Sequence, residues 1–202
     1  MNAPTGLTTT TLLLESLKDP AKDAVWREFD LRYRPLLVSF ARSLGLSPED
    51  SDEVAQESLT EFVRAYRQGK YSREKGRLSS WIIAIARNRI ADRRRVLAKR
   101  AGQRGESAMI DLRNDAQLTQ LWETERRRSI YFRALDMLRE GGKTEERTMQ
   151  AFELVTLRGV PAQSAAAECG MSVDEVYVAK NRVTKRLRAI VEQLTAAYTE
   201  DG

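Results

Sequence analysis

From Trp26 to Leu194 the apolar residues of this chain recur at intervals of three and four, and nowhere does an apolar-polar alternation run long enough to build a sheet. That spacing predicts an all-α fold. Each stripe is one face of a helix, and a helix face is buried most readily against another helix, so the architecture reduces to bundles. A short helix is expected around Thr11 to Leu17, ending at Asp19-Pro20 because the residue before a proline disfavours helix. The next carries Trp26, Phe29, Tyr33, Leu36, Leu37, Phe40 and Leu44, with Pro35 as a point of kinking and Gly45 as its stop. Ser47-Pro48-Glu49-Asp50 then supplies an N-cap, a proline at the first helical position and acids against the positive end of the helix dipole. That helix runs to about Gln68 and buries Val54, Leu59, Phe62, Val63 and Tyr66. After a polar loop, Gly69 to Gly76, a third long helix from Leu78 to Arg100 is apolar in its first half (Leu78, Trp81, Ile82, Ile85, Ala86) and basic in its second.

Residues 101–117 lose the periodicity and carry Gly, Ser, Asn and Asp, the composition of a linker. Two small helical domains are therefore expected, 10–100 and 118–198, joined by a flexible segment that spans ~60 Å at most, at ~3.3–3.6 Å per residue. The second domain begins with a helix bearing Leu118, Leu121, Trp122, Ile130, Phe132, Leu135 and Leu138, stopped by Gly141-Gly142. Thr144 is positioned to cap the next helix, whose stripe is Met149, Phe152, Leu154, Val155 and Leu157.

Composition removes whole classes of function. The 202 residues include no histidine and one cysteine, Cys169. A His-based triad, a histidine general base and a His-containing zinc site all lack their central group, and one thiol makes neither an intrachain disulfide nor a multi-thiolate site. The chain is read as not an enzyme, with no cofactor and no metal, in a reducing cytoplasm. No membrane role is expected, since the longest apolar run near the start is Leu12 to Leu14.

The net charge of +5 hides a segregation of signs. Ser47 to Val63 holds six acids and no base, Arg87 to Arg104 eight bases and the single acid Asp92, and Val176 to Val191 five bases and no acid. Such blocks suggest one surface for a polyanion, most commonly nucleic acid, and another for a cationic partner.

Three constellations carry this further. Pro161 to Val176 reads as helix, glycine turn, helix: small alanines permit a close crossing, Gly170 sits in the turn, and Ser172 with Glu175 makes a capping box. This is the layout of a helix-turn-helix. Its second helix would bury Val176, Val183, Leu187, Ile190 and Leu194 and present Tyr177, Val178, Asn181, Arg182, Thr184 and Lys185 to a major groove; the bland alternative is an αα-hairpin with a solvated basic face. The acidic helix clusters Asp52, Glu53, Gln56, Glu57 and Glu61 on adjacent faces, which suits a solvated surface, a cation or a basic protein partner. Finally, Trp81, Asn88, Asp92 and Arg95 fall on one face beside a polar loop and a basic run, which suits a nucleic-acid surface.

The order of Glu53-Val54-Ala55-Gln56-Glu57, Gly76-Arg77-Leu78-x-x-Trp81, Ile85-Ala86-Arg87-Asn88, a basic helix end, a linker and a helix-turn-helix closely resembles the sigma-70 family, and the short two-domain build its extracytoplasmic-function (ECF) group. Thr11 to Pro20 followed by Ala24 to Phe29, and Val176 to Val183, look like variants of planctomycete members. The resemblance implies that residues 10–100 are sigma region 2 and 118–198 region 4. It implies that Asp52, Glu53, Gln56 and Glu57 meet the clamp helices of the RNA polymerase β′ subunit, with the β flap a further contact. Loop 70–80 would capture a base flipped from the promoter -10 element; Asn88 and Asp92 would contact that element, and Arg87, Arg93, Arg94 and Arg95 would hold phosphates. Tyr177, Val178, Asn181, Arg182 and Lys185 would read the -35 element. The family often has a base where Tyr177 stands and Asn where Asp92 stands. Two promoter elements one and a half turns apart are ~50 Å from each other, within reach of the linker. An anti-sigma protein is a further partner of the family. The reading of another class is a conventional helix-turn-helix regulator that is not a polymerase subunit.

Overall fold

The computed structural model describes residues 10–19, 23–72, 74, 76–100, 114–142 and 144–198. Among them there is no strand, and the elements are α1 (Thr10–Leu17), α2 (Asp23–Ser43), α3 (Pro48–Arg67), α4 (Leu78–Arg100), α5 (Asp115–Glu140), α6 (Glu146–Phe152), α7 (Ala162–Cys169) and α8 (Val173–Tyr198). The fold is all-α, as the periodicity predicts. Most of the expected linker lies outside the described residues. Among those described, no helix is long and apolar enough to cross a membrane.

The chain divides into two compact units. Residues 1–129 and 197–202 make the first, residues 130–196 the second. This division differs from the expected start of a second domain at 118. Leu118 and Trp122, read from sequence as the beginning of the second core, are buried in the first, where the Trp122 ring meets Phe40 edge-on at 5.5 Å. Glu125 is buried in the same unit and accepts hydrogen bonds from the hydroxyls of Ser39 and Ser43.

In the first unit, α2, α3 and α4 form the body and α1 leans on α2. The expected inner face of α3 is there: Val54, Leu59, Phe62 and Val63 are buried and Tyr66 is half-buried. Phe62 sits in a run of rings, stacked on Phe29 at 5.0 Å, edge-on to Trp81 at 5.1 Å and beside Tyr66 at 6.0 Å. Ser47 caps α3 as expected, its hydroxyl accepting from the Asp50 amide at 3.1 Å, and Pro35 is accommodated inside α2. The end of the chain belongs to this unit too. The Ala197 carbonyl accepts from Thr10 Oγ1 and from buried Arg32 Nη1, both at 2.9 Å, and the Tyr198 hydroxyl donates to the Arg32 carbonyl at 2.8 Å.

In the second unit, α7 and α8 pack Ala165, Ala166, Val176 and Ala179 against Ala151 and Leu154. Two expectations are corrected here. Thr144 does not cap α6: its hydroxyl accepts from Arg186 Nη1 at 2.6 Å, and Glu145 takes the cap position. Residues Glu153–Leu157 widen into a π-helical turn, in which the Arg158 amide reaches back five residues to the Glu153 carbonyl at 3.0 Å. The widening breaks the 3.6-residue phase of the stripe, and Leu157 comes out exposed. Phe132 on α5 is exposed as well.

Candidate nucleic-acid and partner interfaces

The helix, glycine turn and helix of α7 and α8 are built as their sequence dictates. Gly170 ends α7 in the left-handed conformation, φ 59°, which a side chain disfavours, and the Met171 amide donates back to the Ala166 carbonyl at 2.9 Å. The Ser172 amide donates to Glu175 Oε2 at 2.7 Å and the Glu175 amide to Ser172 Oγ at 3.2 Å, closing the capping box. Hydrogen bonding of the carboxylate to Ser172, to its amide first and its hydroxyl second, holds the Glu175 carboxyl below its usual range. With α8 started there, its phase follows. Val176, Val183, Leu187 and Leu194 are buried, together with Ala179, while Tyr177, Val178, Asn181, Arg182 and Lys185 are all exposed; Ile190 is only half-buried. Tyr177 and Val178 are 50% and 57% exposed, an unusual cost in apolar surface for a helix that needs only solvation. Cys169 packs at the margin of the adjacent core, and burial, with the Glu168 charge, raises its thiol above the ordinary range. It therefore stays protonated at neutral pH.

On α3 the predicted partner residues share the outer surface: Asp52, Glu53, Gln56 and Glu57 are exposed, and with Thr60, Glu61, Arg64 and Arg89 several of them line a groove of about 690 Å³. The basic half of α4 lies against this helix. Arg93 donates to Asp50 at 2.6 Å and pairs with Glu53 at 2.7 Å, and Arg89 donates to Glu61 at 2.8 Å. The blocks that are segregated in sequence are therefore interleaved in space. Arg87 pairs with Asp115 at 2.6 Å, Arg95 with Asp92 at 2.9 Å, and Arg94 donates to the Leu44 carbonyl, its guanidinium pKa lowered by burial. Asn88 is exposed, and Arg95 keeps 75% of its side chain in solvent despite its pair. Sequence marks these residues as charged and helical but carries no sign of which acid each arginine meets.

The Ser47 hydroxyl, then Arg93, hold the Asp50 carboxyl below its ordinary value. A carboxylate depressed in the folded state adds stability that is fully present above the unfolded value, about 3.9, and is lost as pH falls through the lower folded one. Asp50→Asn should therefore flatten the acid limb of a urea-melting series run from pH 7 downwards. Parallel curves for the two proteins would remove Asp50 from that role.

Loop 70–80 starts beside a cavity of about 350 Å³ lined by Thr11, Leu14 and Glu15 of α1, by Lys18 just after it, and by Tyr66, Gly69, Tyr71 and Ser72. Tyr71 is stacked on Trp81 at 5.0 Å, with 15° between the rings, and lies 6.0 Å from Tyr66. Trp81, half-buried, is thus both a core residue and the backing of an aromatic wall. Among the described residues no group of three or more carboxylates or thiols is placed to hold a metal ion.

Residues 30–100 match the family model of sigma-70 region 2. No curated protein sequence matches the chain.

Proposed function

We propose that this chain, whose residues 30–100 carry sigma-70 region 2, is a sigma factor of the ECF group that binds core RNA polymerase and directs it to promoters. The observation that carries the reading is that the matched region spans both the exposed acidic face of α3 and the Tyr66–Tyr71 wall of the cavity beside loop 70–80. Asp52, Glu53, Gln56 and Glu57 form the docking face for the β′ clamp helices. The -10 element falls to Arg87, Asn88, Asp92, Arg93, Arg94 and Arg95; Asn88 and Arg95 are already presented to solvent, whereas Arg93 exchanges Asp50 and Glu53 for a phosphate. An unstacked base enters the cavity, so binding energy is gained only once the strands have opened, and melting is favoured.

Region 4 is assigned to the second domain, with Tyr177, Val178, Asn181, Arg182 and Lys185 reading the -35 element from the exposed face of α8. The protein works in the cytoplasm as a contact subunit without catalysis of its own. An anti-sigma protein is a natural regulator of such a subunit.

Assembly with core polymerase tests the whole reading. Co-elution of the purified chain with core enzyme and promoter-dependent transcription are expected; binding to a palindromic duplex as a dimer with no affinity for core enzyme would favour a conventional regulator instead. Within region 4, Arg182→Ala should cost roughly 1–3 kcal/mol of discrimination at one -35 position, read as transcription across single-base promoter variants. Equal activity ratios for the variant and the parent on every template would end that assignment.

A further inference from the structure

The cavity beside loop 70–80 has a wall that the matched region does not supply. Residues 30–100 contribute Tyr66, Gly69, Tyr71 and Ser72, while Thr11, Leu14 and Glu15 of α1 and Lys18 just after it lie outside the match. Thr11, Leu14 and Glu15 share one face of α1, Lys18 follows in the turn at its end, and all four line the cavity. Leu14 is buried, whereas Glu15 and Lys18 are exposed at the rim. Among the described residues neither forms an ion pair, so their hydrogen-bonding capacity is open to a visitor. The Tyr66 hydroxyl is raised above its ordinary pKa by burial first and by the Glu15 charge second, which sets that carboxylate near the aromatic wall.

We infer that Glu15 and Lys18 are specificity-determining residues of this cavity, selecting a base that carries an exocyclic amine beside a ring acceptor nitrogen, cytosine or adenine, over thymine. The inference rests on the base-capture reading of the cavity given above. The chemistry is complementary at two atoms. A carboxylate only accepts, and cytosine N4 or adenine N6 donates to it; an ammonium only donates, and cytosine N3 or adenine N1 accepts from it. Thymine places a carbonyl oxygen where the amine would be, opposite the carboxylate, and two acceptors there repel. The tyrosine rings add stacking that any base can use, so they supply capture, and Glu15 with Lys18 supplies choice.

The test uses holoenzyme assembled from the full chain with core RNA polymerase and a set of single-stranded -10 oligonucleotides, each position carrying C, A, T, G or an abasic site in turn. The parent should show one position where C or A binds about tenfold more tightly than T or the abasic site, the scale of one good side-chain-to-base pair. Comparing C with A at that position shows which ring the cavity takes. Glu15→Ala should reduce this preference to under about twofold at that position alone, and Lys18→Ala should weaken C and A together. Both side chains are exposed, and unchanged melting of the free variants checks the fold. Retention of the full preference in Glu15→Ala, with the abasic penalty intact, would overturn the inference and leave base capture standing. If no position is sensitive to abasic substitution and Tyr71→Ala binds as the parent does, base capture fails and the inference with it.

Discussion

Trp122→Ala is expected to cost about 3–5 kcal/mol, the scale of emptying a fully buried indole site, and to spend that loss on the first unit. Trp122 is 1% exposed and belongs to the core made by α2, α3 and α4, with its ring against Phe40. The cavity left behind is bordered by Phe40, and the backbone of α5 at that point is also held by the bonds from Ser39 and Ser43 to Glu125, which limits collapse. Hydrogen exchange locates the effect. Protection should fall first in α2 and α4 while the amides of α7 and the first half of α8 keep theirs. Phe132→Ala, ten residues along the same helix but 52% exposed, should change stability by less than about 0.5 kcal/mol. Loss of protection confined to α6, α7 and α8 in Trp122→Ala would show that the start of α5 serves the second domain, as the sequence alone suggests.

That contrast marks what the sequence carries and what it does not. The bounds of α4, the cap of α3 and the turn between α7 and α8 are local facts: a serine before a proline, a glycine that needs positive φ, a capping box four residues long. Local chemistry is written in neighbouring residues, and it was legible there. The stripe on α5 is equally plain, but it says only that the face is buried, not what covers it, so the assignment of Leu118 and Trp122 needed the packed structure. The same limit applies to charge. The acidic and basic blocks are obvious in sequence, yet the ion pairs of Arg93 with Asp50 and Glu53 join helices separated by some forty residues, and nothing local predicts them. Thr144 illustrates competition between two legitimate uses of one hydroxyl. A cap was available to it, and the bond to Arg186 from another helix took precedence. The cavity was half legible: loop 70–80 was singled out from its resemblance, whereas α1, far away in sequence, brought no motif that would place it there.

Glu57→Lys should weaken assembly with core polymerase by tenfold or more, about 1.4 kcal/mol, with little change in the second unit. Of the acids on the outer face of α3, Glu53 is partly neutralised by Arg93 and Asp52 lies 3.5 Å from Arg34. Glu57 is exposed and makes no ion pair among the described residues, so its charge is the one most available to a cationic partner. Reversal changes the local charge by two units and meets like charge on docking, which costs more than simple loss of an attraction. It also sets a positive group near Arg93, whose guanidinium is held protonated by hydrogen bonding to Asp50 first and by the charges of Asp50, Glu53 and Glu57 after it. Glu57→Gln separates the two effects, since it removes the charge without adding a repulsive one. A graded series, parent over Gln over Lys, with the differences shrinking as salt rises from 0.05 to about 0.5 M, is the signature of an electrostatic contact at the docking face. Equal assembly of all three at every salt concentration, with the melting of the first unit unchanged, would remove α3 as that face and leave the acids as a solvated surface.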